Sequence, residues 1–168
     1  MKLTGTAWKI AQDNISTDQI RPKQYSHLPF KEQGPHCLED IEPGLGARAK
    51  PGDFIIAGRN FGCGSSTAAH GAVIGLGISA VIAESFGRLF LSNCVSGGLW
   101  AVTCPGILDF AASGDRLEID TDTWRVRNLR SGESIGANPV PEFFREMVEL
   151  GGEKAYLKVR LAREAAAP

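Results

Sequence analysis

The stretch DFIIAGRNFGCGSSTAAHGAVIGLGISAVIAESFGRLFLSNCVSGGLWAVTC, residues 53–104, decides how the fold is read. Its first six residues, Asp53 to Gly58, are a short apolar run of strand length. From Ala69 the small and apolar residues Ala69, Ala72, Val73 and Leu76 keep helical spacing, and Gly77 is placed to end that helix. ISAVIAES (78–85) is then a second buried strand, and FGRLFLSNCV (86–95) a helix with Phe86, Leu89 and Phe90 on one face. GLWAVTC (98–104) gives a third strand. Strand, loop, helix, strand, helix, strand is the pattern of a parallel sheet covered by helices.

On the N-terminal side, LTGTAWKI (3–10) alternates loosely and predicts a strand, and AQDNISTDQIRP (11–22) is polar and turn-rich, a surface loop. From Tyr25 to Gly52 the chain turns to Pro, Gly, His and charge with little periodicity, so this segment is expected to be a long ordered loop or a mobile lid. On the C-terminal side, DRLEID (115–120) and TWRVRNL (123–129) alternate like a β-hairpin, carrying Leu117 and Ile119 on one strand and Trp124 and Val126 on the other. PVPEFFREMVELGG (139–152) opens on prolines and closes on Gly151 and Gly152, with Phe143, Phe144, Met147 and Leu150 as its apolar stripe. It predicts a helix packed on the sheet, after which LAREAAAP (161–168) is expected to fray. The expectation is one α/β domain over residues 1–168, with a mostly parallel core sheet and an added antiparallel hairpin.

Composition narrows the function. Eighteen basic and nineteen acidic side chains nearly cancel, so neither nucleic acid nor an anionic membrane is an expected partner. The N-terminus lacks a secretory pattern and the apolar runs fall short of membrane-spanning length, which predicts a cytoplasmic protein. Cys37, Cys63, Cys94 and Cys104 are widely spaced with no Cys-x-x-Cys pair. They read as reduced thiols, and no metal site is expected on this chain.

The chemistry concentrates in FGCGSSTAAHG (61–71). A glycine-rich turn between a strand's carboxyl end and a helix lets backbone N–H groups converge on an anion. Ser65 and Ser66 can donate to a carboxylate or phosphate, cap the helix, or take part in proton transfer. A phosphate-binding Walker loop would need a Lys before its Ser or Thr, and the spacing lacks the third glycine of a dinucleotide fingerprint. Asp18, flanked by hydroxyl residues in STDQI, is explained more readily by an Asx-turn than by catalysis. Arg59 adjoins the loop and can pair with a carboxylate, although a strand-end arginine is commonly solvated. His27, His36 and His70 show no metal-ligand spacing.

DNISTDQIRP (13–22), GDFIIAGRNFGCGSS (52–66) and GISAVIAESFGRLFLSNCVSGGL (77–99), in that order, resemble the 3-isopropylmalate dehydratase small subunits, the detached swivelling domain of the aconitase superfamily. The resemblance spans most of residues 5–105, and ELGG (149–152) is similar to the family's C-terminal end. It implies a swivelling β/β/α fold and a hydro-lyase active only with a large subunit. No cofactor is then expected on this chain, since that large subunit carries a [4Fe–4S] cluster. The implied substrate is a small hydroxy-dicarboxylate, with 3-isopropylmalate of leucine biosynthesis first and other malate derivatives as alternatives. A non-catalytic binding or regulatory relative is the competing class. By the same resemblance Ser65 is the catalytic base, Gly64 and Ser66 bind a substrate carboxylate, and Thr17 and Asp18 line the mouth or support the loop. His27 and Leu28 fall where the family reads the substrate's variable side chain.

The sequence departs from the family after the two serines. Arg, Glu and His are replaced by Thr67, Ala68 and Ala69, with His70 and Gly71 following. Thr67 cannot form the bidentate pair an arginine makes with a carboxylate. Either another arginine substitutes, Arg59 or one from the large subunit, or the substrate differs at that end.

Overall fold

The structure, a computed structural model, describes residues 1–64 and 68–166. Seven strands, β1 (Lys2–Ile10), β2 (Phe54–Ala57), β3 (Ala80–Ala83), β4 (Trp100–Thr103), β5 (Arg116–Asp120), β6 (Arg125–Asn128) and β7 (Ser134–Gly136), form one sheet in the order β4-β3-β2-β1-β5-β6-β7. β1 joins its two halves. Lys2 to Thr6 pair antiparallel with β5, and Ala7 to Ile10 pair parallel with β2. Beyond them β2, β3 and β4 continue in parallel, while β5, β6 and β7 continue antiparallel.

The parallel strands lie side by side in chain order, so each right-handed crossover steps the same way and lays its helices on the same face. That layer comprises α1 (Thr17–Ile20), α2 (Phe30–Gln33), α3 (Leu45–Arg48), α4 (His70–Gly75) and α5 (Arg88–Gly97). Its core gathers Ile15, Ile20, Leu38, Leu45, Phe61, Val73 and Phe90 over Ile55, Ala57, Val81 and Ala83. The alternate residues Phe54, Ile56, Ala80 and Ile82 point the other way, into a second core with Ile107, Leu117, Ile119, Val126, Met147, Val148 and Tyr156. This face is covered by the curled antiparallel strands with α6 (Ile107–Phe110), α7 (Glu142–Glu149) and α8 (Glu153–Ala165). Coverage on both faces explains why β2 and β3 read as unbroken apolar runs.

Four expectations change in detail. The segment from Tyr25 to Gly52 is a chain of short helical turns anchored by fully buried Cys37, Leu38 and Leu45. Its anchors are single residues, too sparse to register as a period. The tail expected to fray is helical through Ala165, carried by good helix formers and the Arg160–Glu164 pair at 3.2 Å. The helix expected from Phe86 begins at Arg88, and Leu89, assigned to its apolar face, is exposed. The added hairpin gains a third strand, β7, which at three residues is too short to announce itself.

Candidate active site

The site is built where the loops leaving β1, β2 and β3 emerge together at the carboxyl ends of parallel strands. Backbone bonds lace the three loops. Gly62 and Cys63 N–H donate to the Ile15 carbonyl at 2.8 and 3.1 Å, and Thr17 N–H donates to the Cys63 carbonyl at 2.9 Å. On the other side Phe61 N–H donates to the Ser85 carbonyl at 3.0 Å, and Gly87 N–H returns to the Phe61 carbonyl at 2.8 Å. Side chains reinforce the lacing. Asp13 Oδ1 accepts from Arg59 N–H at 2.6 Å, and Asn60 Nδ2 donates to Asn14 Oδ1 at 2.9 Å. Both asparagines are in the left-handed region, with φ of 56° at Asn14 and 57° at Asn60, which their short polar side chains tolerate better than most.

Gly62 has no substitute. Its φ is +77°, and a Cβ there would fall 2.2 Å from Cγ of Phe90, so the loop lies directly on the α5 core. Gly64, at φ +101°, comes up against Thr17, whose Oγ1 would lie 3.7 Å from an added Cβ. Thr17 thus lies beside Gly64. Ser65, Ser66 and Thr67 lie outside the described residues.

The flanking residues sort as follows. Thr17 is buried at the start of α1, which opens with a capping box: Ser16 Oγ accepts from Gln19 N–H at 3.2 Å and Gln19 Oε1 accepts from Ser16 N–H at 2.8 Å. Asp18 thus sits in a helical first turn, not an Asx-turn, and pairs with Lys23 at 3.2 Å. Arg59 is exposed at the loop's entry. His27 is exposed and Leu28 half-buried just ahead of α2, and the Leu28 carbonyl accepts from Gln33 Nε2 at 2.6 Å. α2 packs on α4 so tightly that a Cβ on Gly75 would overlap the Phe30 carbonyl oxygen. The segment holding His27 and Leu28 is therefore fixed against the helix that follows the glycine loop.

α4 begins at His70, with Ala69 as its N-cap and no capping side chain. At six residues the helix contributes less of a macrodipole than the sequence suggests. Two polar atoms near this point went unnoticed in the sequence: Arg21 Nε and His70 Nδ1 are both buried with no hydrogen-bond partner. Burial, and then the charge of Arg21, hold the His70 imidazole below its ordinary pKa, so it is neutral at pH 7.

Among the described residues no group of three or more His, Cys, Asp or Glu side chains comes together to hold a metal ion. Burial pushes the Cys37 thiol up to about 12, and raises Cys94 further, so both stay protonated. An apolar groove of about 430 Å³ lies elsewhere, between α5, α7 and edge strand β4. Leu91, Val95, Val140, Phe144 and Met147 line it, with Arg88 and Glu153 as its ionisable groups, a lining poorly matched to a doubly charged acid. No helix of the described residues is long and apolar enough to cross a membrane.

Residues 1–106 match the family described as the aconitase C-terminal domain. A 3-isopropylmalate dehydratase small subunit from Thermodesulfovibrio yellowstonii is 41% identical over 98% of each chain. An isopropylmalate/citramalate isomerase small subunit from Methanocaldococcus jannaschii is 39% identical over 95% of this chain and 96% of its own. The crystal structure of a 3-isopropylmalate dehydratase from the same organism superposes with a TM-score of 0.92 at 35% identity, covering 98% of each chain.

Proposed function

Since the chain belongs to the aconitase C-terminal domain family, in its branch of 3-isopropylmalate dehydratase small subunits, we propose that it is the substrate-closing subunit of a hydro-lyase that interconverts 2- and 3-isopropylmalate. A cluster-bearing large subunit is its partner, and the cytoplasm its place of work. The observation that carries this reading is the lacing of three carboxyl-end loops around Gly62 and Gly64, a rigid base on which a reactive loop can close over a small acid.

Dehydration removes a proton from the carbon next to a carboxylate and a hydroxyl from its neighbour; rehydration returns them with the positions exchanged. A [4Fe–4S] cluster on the partner would supply the Lewis acid for the departing hydroxyl. Ser65 takes the proton as an alkoxide and gives it back on the other carbon. A serine is a weak base in water, so its alkoxide needs converging N–H donors, which the glycine turn can offer. Gly64 N–H and Ser66 hold one substrate carboxylate. Thr17 buttresses Gly64, and His27 and Leu28 border the variable substituent. The isopropylmalate/citramalate relative supports a site open to a methyl group as well as isopropyl.

The test is reconstitution. The purified chain, mixed anaerobically with a cognate large subunit, should dehydrate 3-isopropylmalate and citramalate, whereas neither subunit alone should. A mixture that forms the complex yet turns over no alkylmalate would remove the proposal.

A further inference from the structure

Arg21 stands out among the arginines of this chain. Arg48, Arg130, Arg145, Arg160 and Arg163 each face a carboxylate within 3.2 Å. Arg59, Arg88, Arg116, Arg125 and Arg127 show no such pair among the described residues either but are exposed, whereas Arg21, also without one, is half-buried with its Nε shut away from solvent and without a hydrogen bond. It caps the far end of α1, the helix that begins with Thr17 against Gly64. His70, the first residue of α4, follows the glycine loop in the chain, and its Nδ1 is equally buried and unpartnered. Its ring is locked in place: Phe30 meets it edge-on at 5.5 Å, and a Cβ on Gly97 would come within 2.7 Å of its Cδ2. Burying an arginine N–H and an imidazole nitrogen with nothing to bond is costly, and such groups are retained where a ligand completes them. Gln33 Oε1, a third buried atom without a partner, is an acceptor and has no attraction for an anion.

We propose that Arg21 and His70 together receive one carboxylate of the substrate, the guanidinium supplying the charge and His70 Nδ1–H a second donor. The inference rests on the hydroxy-dicarboxylate reading above. A dicarboxylate needs two receptors. The loop N–H groups serve one end, and Thr67 cannot serve the other. Of the two substitutes named above, Arg59 is the one on this chain, and it is exposed at the loop's entry, where water screens its charge; the shielded Arg21 Nε loses less to solvent and is the stronger partner.

The experiment uses the assembled pair of subunits. Arg21→Gln should raise KM for the alkylmalate about 10- to 100-fold, the usual range for losing a charge-assisted hydrogen bond, with kcat changed far less. Arg21→Lys should recover part of the loss. Calorimetry with malate and with its monoamide supplies a readout independent of turnover: wild type should favour the diacid, and Arg21→Gln should lose that preference while melting at the wild-type temperature. A lowered melting temperature with unaltered malate affinity would make Arg21 structural and overturn the inference. So would a wild-type pair that binds both compounds equally. A wild-type pair that prefers malate but turns over no alkylmalate would instead break the proposed function and leave the receptor standing.

Discussion

At the scale of single residues, the proposed function gives Ser65 the chemistry of the loop, while Gly62 supports it. On that reading, replacing Ser65 by Ala removes the base and leaves the backbone donors. Turnover of the reconstituted enzyme should therefore fall roughly 10²–10⁴-fold with malate affinity nearly kept; near-normal turnover in steady-state assays would strip Ser65 of its role. Gly62 contributes only shape. At φ +77° and 2.2 Å from the Phe90 ring, a methyl group meets both backbone strain and overpacking. Gly62→Ala should cost about 2–4 kcal/mol, measurable as a lower urea midpoint of the small subunit by itself. Ser65 is a candidate from the sequence alone because a hydroxyl among closely spaced glycines is a chemical signature in one dimension. Arg21 is not. Its significance lies in a buried Nε left without a hydrogen bond, which only the folded molecule shows.

At the scale of elements, α1 is a single turn that holds one wall of the loop, and its stability comes from its cap. Ser16 and Gln19 exchange hydrogen bonds at 3.2 and 2.8 Å, so Ser16→Ala should cost about 1 kcal/mol. Because Thr17 is the first residue of that turn, the same variant should weaken substrate binding in the assembled enzyme. A fall in thermal stability with unchanged KM would detach α1 from the site. The parallel β2–α4–β3–α5–β4 unit was legible in the sequence because each element buries enough consecutive apolar residues to impose a period. The turns between Tyr25 and Gly52 were not, since each is three or four residues long and the apolar anchors Leu38 and Leu45 stand singly. α8 escaped notice for the opposite reason. It is long but buries only Tyr156, so propensity makes it a helix without a stripe to betray it.

At the scale of the whole molecule, the parallel and antiparallel halves of the sheet are welded along β1, and two buried carboxylates sit on the weld. Asp53 accepts from Trp8 Nε1 at 2.9 Å, Lys50 N–H at 2.9 Å and Thr6 N–H at 3.2 Å. Burial works to raise its pKa, but these bonds outweigh that and hold it below the ordinary value. Asp115 is likewise held down, first by the Ala112 N–H and, against the effect of burial, by Asn128 and Arg130. A carboxyl whose folded pKa lies below its unfolded pKa adds stability that is complete above the unfolded value. That stability is lost as pH falls through the folded one. The small subunit should therefore keep a constant urea midpoint from neutrality down to the edge of the carboxylate range, about pH 4, and lose stability steeply beneath it. Asp53→Asn removes a titrating group while keeping the side chain's size. It should melt lower than wild type at pH 7 and show a shallower decline in acid, the two curves converging as Asp53 protonates. Parallel curves across the whole range would mean that Asp53 titrates alike in the folded and unfolded chain, and that the weld draws nothing from its charge.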